Sequence, residues 1–284
     1  MIIKKWLKYS TNLLKKNKIL IYQLESVMLL SFVLQKSKSW IYGFYEKKIN
    51  CIKLKILKKF LKRRIKGEPI AYILGFCEFW SLKIYVSPYV LIPRKDTEVL
   101  VNIILEKINN NTKKILELGT GSGAISIAVA SEYSFINIIA IDINNKIINL
   151  AKYNAKKLNI YNITFLKSNW FSNLKNQKFD IIVSNPPYIS IQKYLFCKKE
   201  LKFEPYRSLI SDNNGTADLN HIISQSSQYL NNYGWLILEH GYKQGNIIKK
   251  MFQIKNFKNI NQYFDIQGYN RVICGQKISI EDKK

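Results

Sequence analysis

Lys114-Ile115-Leu116-Glu117-Leu118-Gly119-Thr120-Gly121-Ser122-Gly123, followed by Ala124-Ile125-Ser126-Ile127-Ala128-Val129-Ala130, decides the fold. The first five residues read as a short buried strand, and the run from Ala124 to Ala130 reads as a helix. Between them three glycines alternate with Thr120 and Ser122. Glycine tolerates positive φ and lets a ligand press against bare backbone, with a helix N-terminus alongside. A second apolar run, Ile138-Ile139-Ala140-Ile141, ends in Asp142, nineteen residues after Gly123. An acidic side chain at the end of the second strand is the usual partner of ribose hydroxyls. The pair implies a nucleoside-bearing cofactor. Read from Gly119 the loop fits both the relaxed G-x-G-x-x-A dinucleotide pattern and an S-adenosylmethionine loop, so it leaves two cofactors open.

Working outward, apolar runs recur at 114–118, 138–142, 162–166, 179–184, 234–239, near 262–266 and at 271–274, with helical patterns between. Alternation of this kind predicts an α/β chain, a doubly wound Rossmann-like sheet with its ligand at the strands' C-terminal edges. Upstream the character changes. Residues 1–68 hold a single glycine before Gly67 and no proline, and carry Leu24, Val27, Met28, Leu30 and Phe32-Val33 at helical spacing, which predicts a small helical domain. Residues 69–93 are rich in aromatics, β-branched residues and turn formers, and read as a hairpin-like connector. Residues 94–284 form the sheet domain.

The run Ile181-Ile182-Val183-Ser184 ends in Asn185-Pro186-Pro187-Tyr188. Neither proline can donate a ladder hydrogen bond and both φ angles are fixed, so the strand stops there. The Asn185 amide is held at a strand's C-terminal edge. Its oxygen and the Pro186 carbonyl can each accept one N–H of a planar NH2 group, while the Tyr188 ring covers the π face. A delocalised amide or aryl-amine nitrogen is a poor nucleophile, and holding both hydrogens to one side lets its lone pair localise toward an electrophile. A hydride-transfer enzyme has no use for such a grip. A methyltransferase does, and this settles the cofactor as S-adenosylmethionine.

The order of these pieces resembles that of the release-factor glutamine methyltransferases. The likeness runs from about Gly67 to Arg271 through Gly67-Glu68-Pro69, Tyr72-Ile73-Leu74-Gly75, Glu78-Phe79-Trp80, Val90-Leu91-Ile92-Pro93-Arg94, the glycine loop, Trp170-Phe171, Asn185-Pro186-Pro187-Tyr188, Glu204-Pro205 and Glu239-His240-Gly241. The resemblance implies methyl transfer to the side-chain amide of a glutamine in bacterial peptide chain release factors. It implies that the cofactor contacts Gly119, Thr120, Gly121, Ser122, Gly123, Asp142, Trp170 and Asn185, with the adenine near Trp170. It also implies that Asn185, Pro186, Pro187 and Tyr188 bind the glutamine, with Asn185, Pro186 and Tyr188 acting in catalysis. The last strand is expected to pair antiparallel. Where the family carries Asp, Pro-Glu and Asp, this chain has Glu117, Lys95-Asp96 and Asn169. Asn169 keeps only a carbonyl acceptor, which weakens the expected bond to an adenine amine.

The formal charge is +26, and residues 1–90 carry 19 Lys and Arg against 4 Asp and Glu. The density peaks in Lys53, Lys55, Lys58, Lys59, Lys62, Arg63, Arg64 and Lys66, interleaved with Ile56, Leu57, Phe60, Leu61 and Ile65, which predicts an amphipathic helix with a basic outer face. Such a face is a solvated surface or a dock for an acidic protein or RNA. Cys51, Cys77, Cys197 and Cys274 form no C-x-x-C pair and the only histidines are His221 and His240, so neither a disulfide framework nor a metal site is expected. The stretch Ile19–Leu34 is broken by Gln23, Glu25 and Ser26, and no membrane span or leader is expected. A cytoplasmic monomer fits these features. Two rivals remain at this point: an adenine-amine methyltransferase acting on DNA or RNA, which grips the same NH2 group on a flipped base, and a non-catalytic module that retains the fold.

Overall fold

A computed structural model describes residues 1–196 and 199–279. The chain divides into two compact units, Met1–Phe76 with Lys198–Phe203, and Cys77–Cys197 with Glu204–Lys284. Cys197 lies outside the described residues.

The first unit contains α1 (Ile3–Lys16), α2 (Tyr22–Leu34), α3 (Lys38–Gly43), α4 (Cys51–Ile65) and α5 (Ile70–Leu74). Its core is built on Trp6, Leu14, Leu29, Leu30, Ile41, Leu57 and Leu61, and it draws in Ile73 and Leu74 of α5. The unit therefore runs past the expected boundary at Glu68, because α5 buries its apolar side chains in this core. The basic helix is α4, and here one reading needs correcting. Leu57, Leu61 and Arg64 share one stripe at i, i+4 and i+7, so Arg64 is buried rather than outward. Its guanidinium meets Glu25 of α2 at 2.6 Å and also pairs with Glu200. Arg63 is bound to Glu68 at 2.5 Å. Only the lysines of that face, Lys55, Lys58, Lys59, Lys62 and Lys66, stand exposed. Glu25 and Ser26, which interrupt the apolar run in the sequence, are inside the unit.

A two-stranded hairpin follows, β1 (Phe76–Phe79) and β2 (Leu82–Tyr85). Its two turn residues, Trp80 and Ser81, both have positive φ, 53° and 57°, the conformation a two-residue hairpin requires. The expected hairpin is thus confined to the middle of 69–93. The second unit continues with α6 (Glu98–Lys107), β3 (Lys114–Leu118), α7 (Ala124–Glu132), β4 (Asn137–Asp142), α8 (Asn145–Lys157), β5 (Ile163–Lys167), β6 (Phe179–Ser184) and α9 (Ile191–Leu195). It closes with α10 (Asp212–Gly215), α11 (Ala217–Tyr229), β7 (Leu230–Glu239), α12 (Gly245–Ile254), β8 (Lys258–Phe264) and β9 (Asn270–Gln276).

Seven strands form one sheet in the order β5-β4-β3-β6-β7-β9-β8. The first five are mutually parallel, and β9 inserts antiparallel to β7. The alternation of strand side chains divides the core in two. Ile115, Ile181, Val183 and Ile237 face the layer of α6, α7 and α8, while Leu116, Ile182, Leu236 and Leu238 face α11 and α12. Strands β3 and β6 are neighbours although α7, α8 and two strands intervene in sequence. The winding reverses between them, and a doubly wound sheet opens its ligand crevice at that switch point. Both motifs of the sequence, the glycine loop and Asn185-Pro186-Pro187, leave from these two strand ends.

Candidate active site

The crevice is a cavity of about 930 Å³, within the usual size for small-molecule sites. Gly119, Thr120, Gly121 and Ser122 line it from β3, Asp142 from β4, Asn169 and Trp170 from beyond β5, and Asn185, Pro186 and Pro187 from β6. Gly119, Gly121 and Gly123 have φ of 72°, 56° and 83°, so the loop folds with its backbone amides uncovered. Gly123 plays a different part from the rest. It does not line the cavity, and a Cβ there would meet Ile127 at 3.1 Å and Ala151 at 3.2 Å. Its bareness brings α7 close to α8.

Asp142 accepts the Gly121 amide at 3.0 Å and the Ile143 amide at 2.8 Å. Burial raises its pKa, and those amide bonds oppose the rise. Glu117, also on the cavity wall, is buried. One of its oxygens, Oε2, accepts from Thr120 Oγ1 at 2.7 Å, from the Ser126 amide at 3.2 Å and from the Ser126 hydroxyl. The other, Oε1, is buried without a partner. Desolvation lifts the Glu117 pKa to about 7. An orphaned carboxylate oxygen beside a bare-backbone loop suits a ligand that brings a cationic donor, and S-adenosylmethionine carries an ammonium, with a cationic sulfonium nearby. The residues present therefore fit the cofactor.

At the β6 end, the Asn185 Nδ2 donates to Thr97 Oγ1 at 3.3 Å. Thr97 is buried and lines the cavity from the turn before α6. With its NH2 so engaged, the Asn185 amide oxygen is left to accept. Tyr188 behaves differently from the expectation that its ring lies on the substrate's amide plane. It does not line the cavity. Its hydroxyl donates to Glu239 Oε1 at 3.1 Å, its carbonyl accepts from Gln244 Nε2 at 3.0 Å, and burial pushes its pKa well above the tyrosine norm. The two fixed proline φ angles carry the chain away, and the phenol finds the carboxylate at the end of β7 instead. His240 is buried outside the cavity lining, its Nδ1 2.9 Å from the Gly241 carbonyl, and burial lowers its pKa so that it stays neutral.

Glu204 and Arg94 entered only as parts of the family resemblance with no role assigned, and Asn154 gave no signal in the sequence. Glu204 accepts the Ile92 amide at 3.1 Å and pairs with Arg94, which explains why the segments around 90–94 and 204–205 belong together. Asn154, fully buried on α8, bonds both the amide and the carbonyl of Tyr85 at 2.9 Å and the Ser122 carbonyl at 2.8 Å. It ties the hairpin to the glycine loop. Among the described residues no group of His, Cys, Asp and Glu is arranged to hold a metal.

A glycine-floored crevice at the switch point, with an NH2 acceptor on the adjoining strand end, places the protein among the methyltransferases that act on nitrogen. Comparison with known proteins narrows the class. Residues 95–199 match the Methyltransferase small domain family and residues 5–75 match the PrmC N-terminal domain. The chain is 46% identical to the release factor glutamine methyltransferase of Buchnera aphidicola subsp. Acyrthosiphon pisum (strain APS), covering 98% of this chain and 99% of that protein. It is 40% identical to the one from Escherichia coli (strain K12), covering 89% and 91%. The fold matches the crystal structure of a methyltransferase from Pyrococcus furiosus with a TM-score of 0.53, at 20% identity over 70% of this chain and 90% of that one. The chain belongs to the release factor glutamine methyltransferase family.

Proposed function

We propose that this protein transfers a methyl group from S-adenosylmethionine to the side-chain amide nitrogen of a glutamine in a peptide chain release factor. The single observation that carries the reading is the Asn185 carboxamide, whose NH2 is engaged by Thr97 and whose oxygen is free to accept in the same cavity as the glycine loop. The cofactor, when bound, supplies a methyl group on an already cationic sulfur. Gly119–Ser122 offer bare backbone for it, Asp142 an acceptor for its ribose, Glu117 a counter-charge, and Trp170 an apolar wall. Asn185 and the Pro186 carbonyl take the two hydrogens of the glutamine NH2 and turn its lone pair outward. No strong base is required, because the nitrogen becomes acidic once alkylated and gives its proton to water. Most of the rate comes from positioning and desolvating a neutral nucleophile. Among the described residues no helix is long and apolar enough to cross a membrane. A cytoplasmic location, where release factors work, follows from the proposed substrate.

The test is transfer of labelled methyl to an unmethylated release factor, to the same factor with its target glutamine changed, and to adenine-containing DNA and RNA. Label that vanishes with the glutamine supports the reading, and label on nucleic acid alone overturns it. Asn185→Ala is expected to lower kcat about 100-fold with cofactor Kd nearly unchanged. The opposite split would make Asn185 a cofactor ligand.

A further inference from the structure

Asn185 and Pro186 recognise an amide NH2, and every glutamine carries one. Choosing one glutamine in one protein needs contacts outside the cavity. The turn between β8 and β9 offers them. In the sheet β7, β9 and β8 follow β6, and β9 runs antiparallel to both its neighbours, so residues 265–269 emerge at the same edge as Asn185. Two strand spacings, about 10 Å, separate β6 from β9. Two paths tie this turn to the cavity wall. Pro187 lines the cavity, Tyr188 follows it, and a Cβ on Gly241 would stand 3.5 Å from the Tyr188 ring. Tyr242 comes next, its ring centroid 5.3 Å from that of Tyr269. On the other path Thr97 lines the cavity, and its neighbour Asp96 stands 3.9 Å from Arg271, which Asp265 holds at 3.0 Å. Asp265 closes the turn as well, accepting the Gln267 and Tyr269 amides at 2.9 Å on Oδ1. This well-tied turn nevertheless leaves large apolar side chains outside. Ile266 at its tip is 84% exposed, and Phe264, Tyr269 and Tyr242 are exposed around it. Turn positions favour glycine and small polar residues, so an isoleucine there has no local use.

Resting on the function proposed above, we infer that the β8–β9 turn docks an apolar segment of the release factor beside its target glutamine, with Ile266 and Tyr269 as the anchors and Tyr242 and Phe264 beside them. Contiguous exposed apolar side chains mark interaction surfaces, and this patch adjoins the side of the cavity that holds the acceptor pair. The reach fits a peptide. At about 3.3 Å per extended residue, a chain whose glutamine sits at Asn185 arrives over the turn about three to five residues away. Because Asp265 already fixes the turn, docking costs little further ordering, and tyrosine is a favoured anchor residue.

The experiment compares the full chain with the Ile266→Ser/Tyr269→Ser pair, with Ile266→Leu, and with Tyr161→Ser. Tyr161 is 79% exposed just before β5, at the opposite edge of the sheet, and controls for a general loss of apolar surface. Wild-type transfer to the unmethylated release factor comes first, and its absence sinks the functional reading itself. Given wild-type transfer, the Ser pair is expected to raise the KM for the intact factor about 20-fold, with kcat at saturation within about twofold. Cofactor Kd by calorimetry is expected to stay where it was, which also shows that the sheet domain is folded. Ile266→Leu keeps the apolar contact and is expected to stay near wild type, as is Tyr161→Ser. A KM for the Ser pair within about twofold of wild type overturns the docking while leaving the function intact. So does a fall in kcat at unchanged KM, which would make the turn a support of the cavity instead. Tyr161→Ser matching the Ser pair overturns it too. Sedimentation of the wild type covers the remaining occupant: a dimer that the Ser pair dissociates would mean that a second copy of this chain covers the patch.

Discussion

Glu117, next to last on β3, has three donors on one oxygen and none on the other, at a pKa lifted to about 7. The ordinary glutamate value applies to the unfolded chain, so from about pH 4.5 to 7 the native state holds a proton that the unfolded state has released. Stability therefore falls as pH rises across that window and levels off above it. The size is on the order of 3 kcal/mol if Glu117 acts alone. Glu117→Gln cannot titrate, and the difference in urea unfolding free energy between wild type and variant is expected to follow this slope. A flat difference would mean the carboxylate is ionised throughout. Cofactor affinity should move the other way, with Glu117→Gln binding more weakly, because the orphaned oxygen loses its charge. At this scale the sequence was informative where a residue type has one use. Gly119, Gly121, Asp142 and Asn185 stand where their chemistry placed them, on the cavity wall. Tyr188 was not legible in the same way, because a tyrosine can offer a ring face or a hydroxyl, and only the fold brings Glu239 within 3.1 Å of it. Thr97 gave no signal at all, since a threonine before a helix reads as an ordinary helix start.

Among the elements, α2 and α4 show how a local pattern is overridden. Periodicity identified both helices, and the apolar positions Leu57 and Leu61 fall on the buried stripe as expected. The same stripe continues to Arg64, and no local rule puts a guanidinium inside. The partner that permits it, Glu25, is thirty-nine residues away on α2, with the two groups 2.6 Å apart and both nearly inaccessible. Burial raises the Glu25 pKa and the Arg64 bonds oppose it. Removing one member strands a charge in a low-dielectric interior. Arg64→Ala is expected to cost about 3–5 kcal/mol of unfolding free energy in urea. Replacing both, as Glu25→Leu with Arg64→Met, is expected to recover most of that loss, since the desolvation of two ions is removed along with their attraction. A double variant as unstable as Arg64→Ala would show that the pair orders the helices in a way apolar packing cannot replace. The hairpin illustrates the reverse case. Its aromatics announced strands, yet Trp80 and Ser81 occupy the positive-φ turn that Asn-Gly normally fills. Tertiary contacts hold that turn: the Trp80 amide donates to Glu98 at 2.9 Å and its indole to Glu132 at 2.7 Å.

At the scale of the whole molecule, the chain has separate cores, one around Trp6 and Leu29, the others on the two faces of the sheet. The boundary between units was placed too early in the sequence because α5 is too short to show a helical period. Lys198–Phe203 could not be assigned to the first unit from sequence at all, since they join it from far along the chain. Every residue of the cavity belongs to the second unit. A ligand that binds only a folded site stabilises the unit that forms the site. S-adenosylhomocysteine lacks the transferable methyl and suits the same crevice, so calorimetry of the full chain with and without it separates the two cores. At about 100 times its Kd the sheet unit should gain about 2.7 kcal/mol. Its transition would then rise by roughly 5–10 °C, given its size. The helical unit's transition is expected to stay where it was. If a single transition moves as one, the two cores unfold together, and the helical unit draws its stability from the cofactor as much as the sheet does.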